Sequence, residues 1–281
     1  MGSSSLAVDI ERIAPGERLA GPDRVAIEEP LEIRIGFATP DGRALKNLSV
    51  TMRTPGADAA LAAGFLVSES IVQSPADILS IEPCGRPPPG GGQPNVIRVE
   101  LAGHVNFDPV RLSRHFYTTS SCGVCGKASL DALRALDVSA PPAGRPHFRE
   151  SMLVAMPERL LREQATFEET GGLHAAAAFT TDGEIVVTRE DVGRHNAVDK
   201  VIGQLLCDDQ LPAKDLGLIV SGRASFELVQ KALTAGMPLI AAVSAPSSLA
   251  IDLAREFGIT LAGFLRGKTF NIYSAPERLV T

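Results

Sequence analysis

From Leu216 to Leu265 the chain alternates short apolar runs with longer amphipathic ones, and that rhythm leaves few folds open. Leu216 to Val220 is fully apolar and strand-length, and a helix follows Ser221-Gly222-Arg223 and runs through Ala235. Pro238 to Val243, a helix from Ser247 to Phe257, and Ile259 to Leu265 complete a βαβαβ run. Such alternation predicts an α/β layered fold with parallel strand pairs. Thr269 to Ser274 adds a last strand, antiparallel across the Gly267-Lys268 turn. Upstream, Leu173 to Thr180 and Glu184 to Arg189 flank Thr181-Asp182-Gly183, and the Asp-Gly pair signals a hairpin. His195 to Leu206 has helical spacing at Ala197, Val198, Val201, Ile202 and Leu205.

The first half is less regular. Leu31 to Phe37 alternates apolar and charged residues, the period of a half-buried strand, and Asn47 to Arg53 does the same before Thr54-Pro55-Gly56. Ala57 to Val67 is rich in helix formers, with Gly64 inside at a cost of about 1 kcal/mol. Pro83 to Pro94 and Pro141 to Pro146 read as loops, and Asn95 to Leu101 as a strand. Tyr117 to Gly126 is a further loop, followed by a helix from Lys127 to Leu136. Three units are expected: an N-terminal extension over 1–30, a smaller β-rich subdomain over 31–115, and an α/β domain over 116–281 carrying the cysteine pair. Met1 to Ser5 is set aside from the fold reading.

Composition narrows the function. The 281 residues carry a net charge of −6, which argues against non-specific nucleic-acid binding through clustered Lys and Arg. No run approaches the roughly 18 apolar residues of a membrane span. The first ten residues lack a basic region followed by a long apolar one, so no signal peptide is expected. The four cysteines, Cys84, Cys122, Cys125 and Cys207, are too few for a disulfide scaffold and favour a cytoplasmic location.

Cys122-Gly123-Val124-Cys125 is the loudest chemical feature. Two thiols at this spacing can share a metal, form a small-ring disulfide, act as nucleophile and neighbour, or be two small loop residues without a role. A closed zinc site needs about four ligands, and the chain has no second CxxC and no His-x3-His. A zinc deaminase needs H-x-E, and His104, His115, His147, His174 and His195 all fail that test. Gly123 and Gly126 supply mobility, while Lys127 and the following helix start supply a positive field, which suits a mobile sulfur nucleophile.

Three polar clusters close strands. Glu190-Asp191-Val192-Gly193-Arg194-His195-Asn196 links a strand to a helix, where Asp191 could cap the helix or the group could wall a ligand. Ser221-Gly222-Arg223-Ala224-Ser225 offers backbone N–H groups and a guanidinium for an anion, or a plain turn with a Ser cap. Ser244-Ala245-Pro246-Ser247-Ser248 repeats the geometry, with Pro246 and Ser247 also making a good helix start. Gly263-Phe264-Leu265-Arg266-Gly267-Lys268-Thr269 misses the phosphate-binding P-loop by one residue and by the strand that follows, which excludes ATP hydrolysis of that type. Arg266 and Lys268 can still meet phosphate from a turn, or be merely exposed hairpin charges.

Taken together these segments resemble the formate dehydrogenase accessory sulfurtransferase family (FdhD). The resemblance is carried by Thr54-Pro55, Gly64-Phe65-Leu66, Ser120 to Gly126, Glu190 to Lys200, Ser221 to Glu227, Ser244-Ala245-Pro246, and the tail from Gly263 to Tyr273. It implies a cytidine-deaminase-like layered α/β fold, usually dimeric. It also implies that persulfide sulfur passes from a cysteine desulfurase to the molybdenum (or tungsten) bis(guanine dinucleotide) cofactor of formate dehydrogenase. Cys122 would carry the persulfide, with Cys125 assisting. Phe264, Leu265, Arg266, Gly267, Lys268 and Thr269 match the family's cofactor-binding stretch, with Asp191, Arg194, His195, Ser221, Gly222, Arg223 and Ser244 as further candidate contacts. No tightly bound metal of its own is expected. A non-enzymatic carrier that binds and protects the cofactor is the alternative. Ser70 stands where the family usually has Gly, and the loop at 83–94 is peculiar to this chain.

Overall fold

The computed structural model describes residues 4–87, 94–108 and 139–281. The chain starts with a hairpin, β1 (Ser5–Ala14) and β2 (Glu17–Ala26), whose strands are mostly exposed. Its base is tied down: Glu169 Oε2 accepts from Ser5 Oγ at 2.9 Å and from Arg24 Nε at 3.1 Å. Ser5 belongs to the fold, contrary to expectation: it opens β1 and is buried. Nothing in its polarity announced a partner 164 residues away.

β3 (Glu29–Thr39) and β4 (Gly42–Arg53) pair antiparallel, and after α1 (Asp58–Ser68) come β5 (Ile78–Pro83) and β6 (Val96–Leu101). The four strands form one sheet in the order β4-β3-β6-β5. Period-2 alternation puts Leu31, Ile33, Ile35, Ile97, Val99 and Leu101 on the inner face, all buried. Against that face lies α1, whose Leu61, Ala62 and Leu66 share the same core. Pro83 ends β5 rather than opening the loop expected there, and the backbone N–H of Cys84 still donates to Val96 at 2.8 Å.

The remaining elements build the second sheet. β7 (Phe148–Arg149), α2 (Glu150–Arg162) and α3 (Ala165–Thr170) lead to β8 (His174–Phe179) and β9 (Ile185–Asp191). Then follow α4 (Arg194–Cys207), β10 (Gly217–Val220), α5 (Phe226–Thr234), β11 (Leu239–Ala242), α6 (Ser248–Glu256), β12 (Thr260–Arg266) and β13 (Thr269–Ser274). A short β14 (Leu279–Val280) pairs with β7. Every strand and helix expected from Leu173 onward is present, with ends shifted by two residues or fewer. The sheet order is β13-β12-β11-β10-β8-β9, with β10, β11 and β12 parallel and the others antiparallel to their neighbours. The fold is α/β, as the alternation predicts.

Alternation within these strands also sets the layers. Ala176, Ala178, Leu218, Val220, Ile240 and Ala242 face the core shared with α1, α4, α5 and α6. Ala175, Ala177, Phe179, Ile219, Leu239 and Ala241 face α2 through Met152, Leu153, Met156 and Leu160. The first sheet is therefore joined to the second through α1 and α4. At their crossing, a Cβ on Gly64 would overlap the Asp199 carbonyl, and one on Gly203 would overlap the Ala60 carbonyl. The glycine that costs helix propensity thus permits backbone contact between helices. Arg278, fully buried, donates to the carbonyls of Pro142, Arg145 and Gly258 and so pins the loop 141–146.

Candidate functional site

The sheet topology brings four expected polar segments to one rim. β10, β11 and β12 are parallel, so Ser221–Arg223, Ser244 and Phe264–Thr269 all lie at or beyond their C-terminal ends. β8 runs antiparallel to β10, so its first residue, His174, falls on this rim, and Asp191 at the end of β9 pairs with it. Four strand spacings separate β12 from β9, roughly 19 Å at ~4.8 Å each. Open α/β sheets place ligand sites at such edges.

Backbone bonds lock the turns side by side. Ser244 N donates to the Gly222 carbonyl at 3.3 Å, and the Ser244 carbonyl accepts from Phe264 N at 3.1 Å. An isolated parallel bridge joins Ala224 to Pro246 beyond the strand ends. Ser221 closes the ladder to β8: its hydroxyl accepts from Ala175 N at 2.9 Å. Ser247 caps α6 by accepting from Ala250 N, whereas Ser225 at the start of α5 makes no such bond. Ser225 donates instead to Glu227 at 3.4 Å.

In the run from Glu190 to Lys200, Asp191 and Asn196 to Lys200 are buried, whereas Glu190 and Val192 to His195 are half-buried. Asp191 has no exposed surface. Its Oδ2 accepts from Thr54 N at 3.2 Å and pairs with Lys200 Nζ at 2.7 Å, while its Oδ1 takes Gly193 N at 2.8 Å and Asn196 Nδ2 at 3.0 Å. Lys200 also donates to the Thr54 carbonyl at 2.8 Å, and Asn196 to the Met52 carbonyl at 2.7 Å. Burial holds the Lys200 ammonium below its usual range, and Asp191 opposes that shift. Asp191 therefore sits behind the rim, clamping the turn to β4, and neither caps α4 nor offers a free oxygen. Asp199 is likewise internal, bound by Lys231 Nζ at 2.7 Å and Ser68 Oγ at 2.7 Å.

Arg194 and His195 are on the rim itself. His195 Nε2 lies 2.8 Å from Glu227 Oε2, and that bond is the main cause holding the Glu227 carboxyl below its usual range. Arg194 Nε is buried and, among the described residues, has no hydrogen-bond partner. A buried donor left unpaired costs about 1–3 kcal/mol unless something meets it. Arg223 is exposed beside them.

At the other end, Phe264 takes φ 56° and is 37% exposed, where β12 breaks register with β13 between Gly263 and Arg266. Arg266 lies over its ring at 5.5 Å. Gly267, Lys268 and Thr269 are exposed on the turn, whereas Leu265 points into the core with 1% exposure. Leu265 thus supports the stretch from beneath. Cys122 and Cys125 lie outside the described residues, as do the loop and helix expected at 117–136. Sequence reading did not single out His174 as a site residue; only its register opposite Asp191 reveals it. Among the described residues no group of three or more His, Cys, Asp or Glu could hold a metal ion, and no helix is long and apolar enough to cross a membrane.

Together these features define an α/β protein with arginine, lysine and histidine side chains gathered along one rim of its second sheet. The chain belongs to the FdhD/NarQ family, whose model matches residues 26–280. It is 50% identical to the sulfur carrier protein FdhD of Streptomyces coelicolor over 99% of this chain and 97% of the relative. It is 47% identical to that of Mycobacterium tuberculosis over 99% and 100%. A solved structure, described as a proposed formate dehydrogenase accessory protein from Desulfotalea psychrophila, superposes with a TM-score of 0.74 at 26% identity. That match covers 99% of this chain and 100% of the other.

Proposed function

We propose that this chain is a sulfur carrier for formate dehydrogenase that moves persulfide sulfur on Cys122 from a cysteine desulfurase to a molybdenum or tungsten bis(guanine dinucleotide) cofactor. The observation that carries this reading is the rim. Arg194, whose buried Nε has no partner among the described residues, and Arg223 stand at one end, and Phe264 with Arg266 and Lys268 at the other. Guanidinium groups and turn N–H groups suit phosphates, and an exposed aromatic ring under an arginine offers a flat face for a base. The family membership and the relatives' name, sulfur carrier protein, support the same reading.

In the proposed reaction the Cys122 thiolate attacks the terminal sulfur of the desulfurase persulfide. A new S–S bond forms on Cys122, the donor S–S bond breaks, and the desulfurase cysteine leaves as thiolate, with no net redox change. Delivery follows over the cofactor held on the rim. The Cys125 thiol attacks Sγ of Cys122, a Cys122–Cys125 disulfide forms, and the terminal sulfur leaves as hydrosulfide toward the metal, reduced by the two electrons the thiols lose. An external dithiol then resets the pair. The rim's part is to bind and orient the cofactor, with Asp191 and Lys200 keeping the 190–195 turn in place.

Intact-mass spectrometry after incubation with a cysteine desulfurase and cysteine tests the reading. The wild type should gain about 32 Da, one sulfur atom, and Cys122→Ala should not. No gain on either protein overturns sulfur carriage and leaves a cofactor-binding carrier.

A further inference from the structure

The rim holds an ionisable side chain that the reading above leaves unused. His174 is half-buried at the start of β8, facing the Ser221–Arg223 turn. A Cβ built on Gly222 would lie 3.5 Å from His174 Nδ1 and 3.9 Å from Arg194 Cδ, so the glycine leaves a notch with the imidazole and Arg194 as its walls. A methyl group would fit there without a clash. Four groups act on the imidazole: Arg194 and His195 from α4, Arg223 from the turn after β10, and Asp191 from β9. The one acid among them is spent, because four donors already occupy its carboxylate. His195 faces Glu227. What remains at the notch is a set of donors with an excess of positive charge.

We propose that this notch is a proton-coupled phosphate subsite, in which a phosphate seated against the Arg194 side chain and Gly222 draws one proton from solvent onto His174. The inference rests on the reading of the rim as the nucleotide-binding edge and adds a residue and a chemical event to it. Burial first, then the charges of Arg194, His195 and Arg223, holds the imidazole below its usual range, with Asp191 opposing. These surroundings favour the neutral imidazole over the imidazolium. A bound phosphate dianion reverses the local field and favours the imidazolium, which donates a further hydrogen bond. By linkage, a ligand that takes up a proton binds more weakly as pH rises.

GDP and inorganic pyrophosphate, titrated calorimetrically into the whole chain in buffers of different protonation heat, test this. For the wild type near pH 7.5 we expect uptake approaching one proton per ligand. The affinity should fall by up to about tenfold per pH unit on the alkaline side. His174→Gln should lose both the uptake and the slope. Gly222→Ala, which fits the fold, should weaken both ligands by about tenfold by filling the notch. In the wild type, the His174 imidazole should titrate at higher pH with pyrophosphate than without, by NMR. Undiminished proton uptake in His174→Gln, or an unmoved wild-type titration, overturns the role of His174 while leaving nucleotide binding intact. Guanosine binding as tightly as GDP overturns the phosphate subsite alone. Binding of neither GDP nor pyrophosphate overturns this inference and the nucleotide reading of the rim together.

Discussion

Lys200 Nζ lies 2.7 Å from Asp191 Oδ2, and both side chains are sealed from water at the point where α4 meets β4. The pair holds the 190–195 turn against Thr54, so the rim's geometry depends on a contact buried behind it.

Lys200→Met should destabilise the chain by about 3–5 kcal/mol, because it strands a buried carboxylate. Lys200→Met combined with Asp191→Asn should cost less than the two single changes added together. Urea unfolding of the three variants checks this, and strict additivity would contradict the coupling.

Gly64→Ala should cost at least about 1–3 kcal/mol, although alanine is the better helix former, because its methyl must displace the backbone of α4 at Asp199. On helix propensity alone the same change would stabilise by about 1 kcal/mol. The sign of the shift in the unfolding midpoint decides between the two.

Arg194→Met should raise or leave unchanged the melting temperature, since it removes a buried donor that is unpaired among the described residues. It should also lower GDP affinity by tenfold or more, the loss of a charge-assisted bond worth about 1.5–3 kcal/mol. Thermal melts and calorimetry on the same preparation give both numbers. A lower melting temperature with unchanged affinity would place Arg194 in the scaffold.

Glu69 lies at the end of α1, where burial first and Asp199 as well raise its carboxyl above the usual range, with Lys231 opposing. A raised folded value means the group favours the folded state below its unfolded value, and that contribution is lost as pH rises through the folded one. Glu69→Gln should therefore be more stable than the wild type at pH 7, and the gap should close as pH falls toward 4. Melting temperature against pH for the two proteins measures it. A gap that widens in acid would reverse the assignment.

The candidate site was legible in the sequence as segments. Polar and glycine-rich residues at strand ends are local features, so Arg194, His195, Gly222, Arg223 and the turn 264–269 can be found by reading along the chain. Asp191 and Leu265 look like their neighbours there, yet one is clamped by Thr54 and Lys200 and the other packs into the core. The stretch 147–172 carried no expected element, and the Pro157 inside α2 hides a helix that packing against Phe148 and Phe179 sustains.

By itself the sequence determined the α/β class, the strand and helix spans of the second half, and the chemistry available at each strand end. Periodicity and turn chemistry are local, and these elements depend on little else. The tertiary structure alone decided that β8 enters antiparallel between β10 and β9, which carries His174 to the rim. It also decided that Asp191 turns inward, that Arg194 Nε finds no partner among the described residues, and that Gly64 meets the backbone of α4. Each depends on a pairing between residues far apart in the chain. Strand direction and helix crossing are set by how whole faces bury against one another, a quantity no local pattern contains.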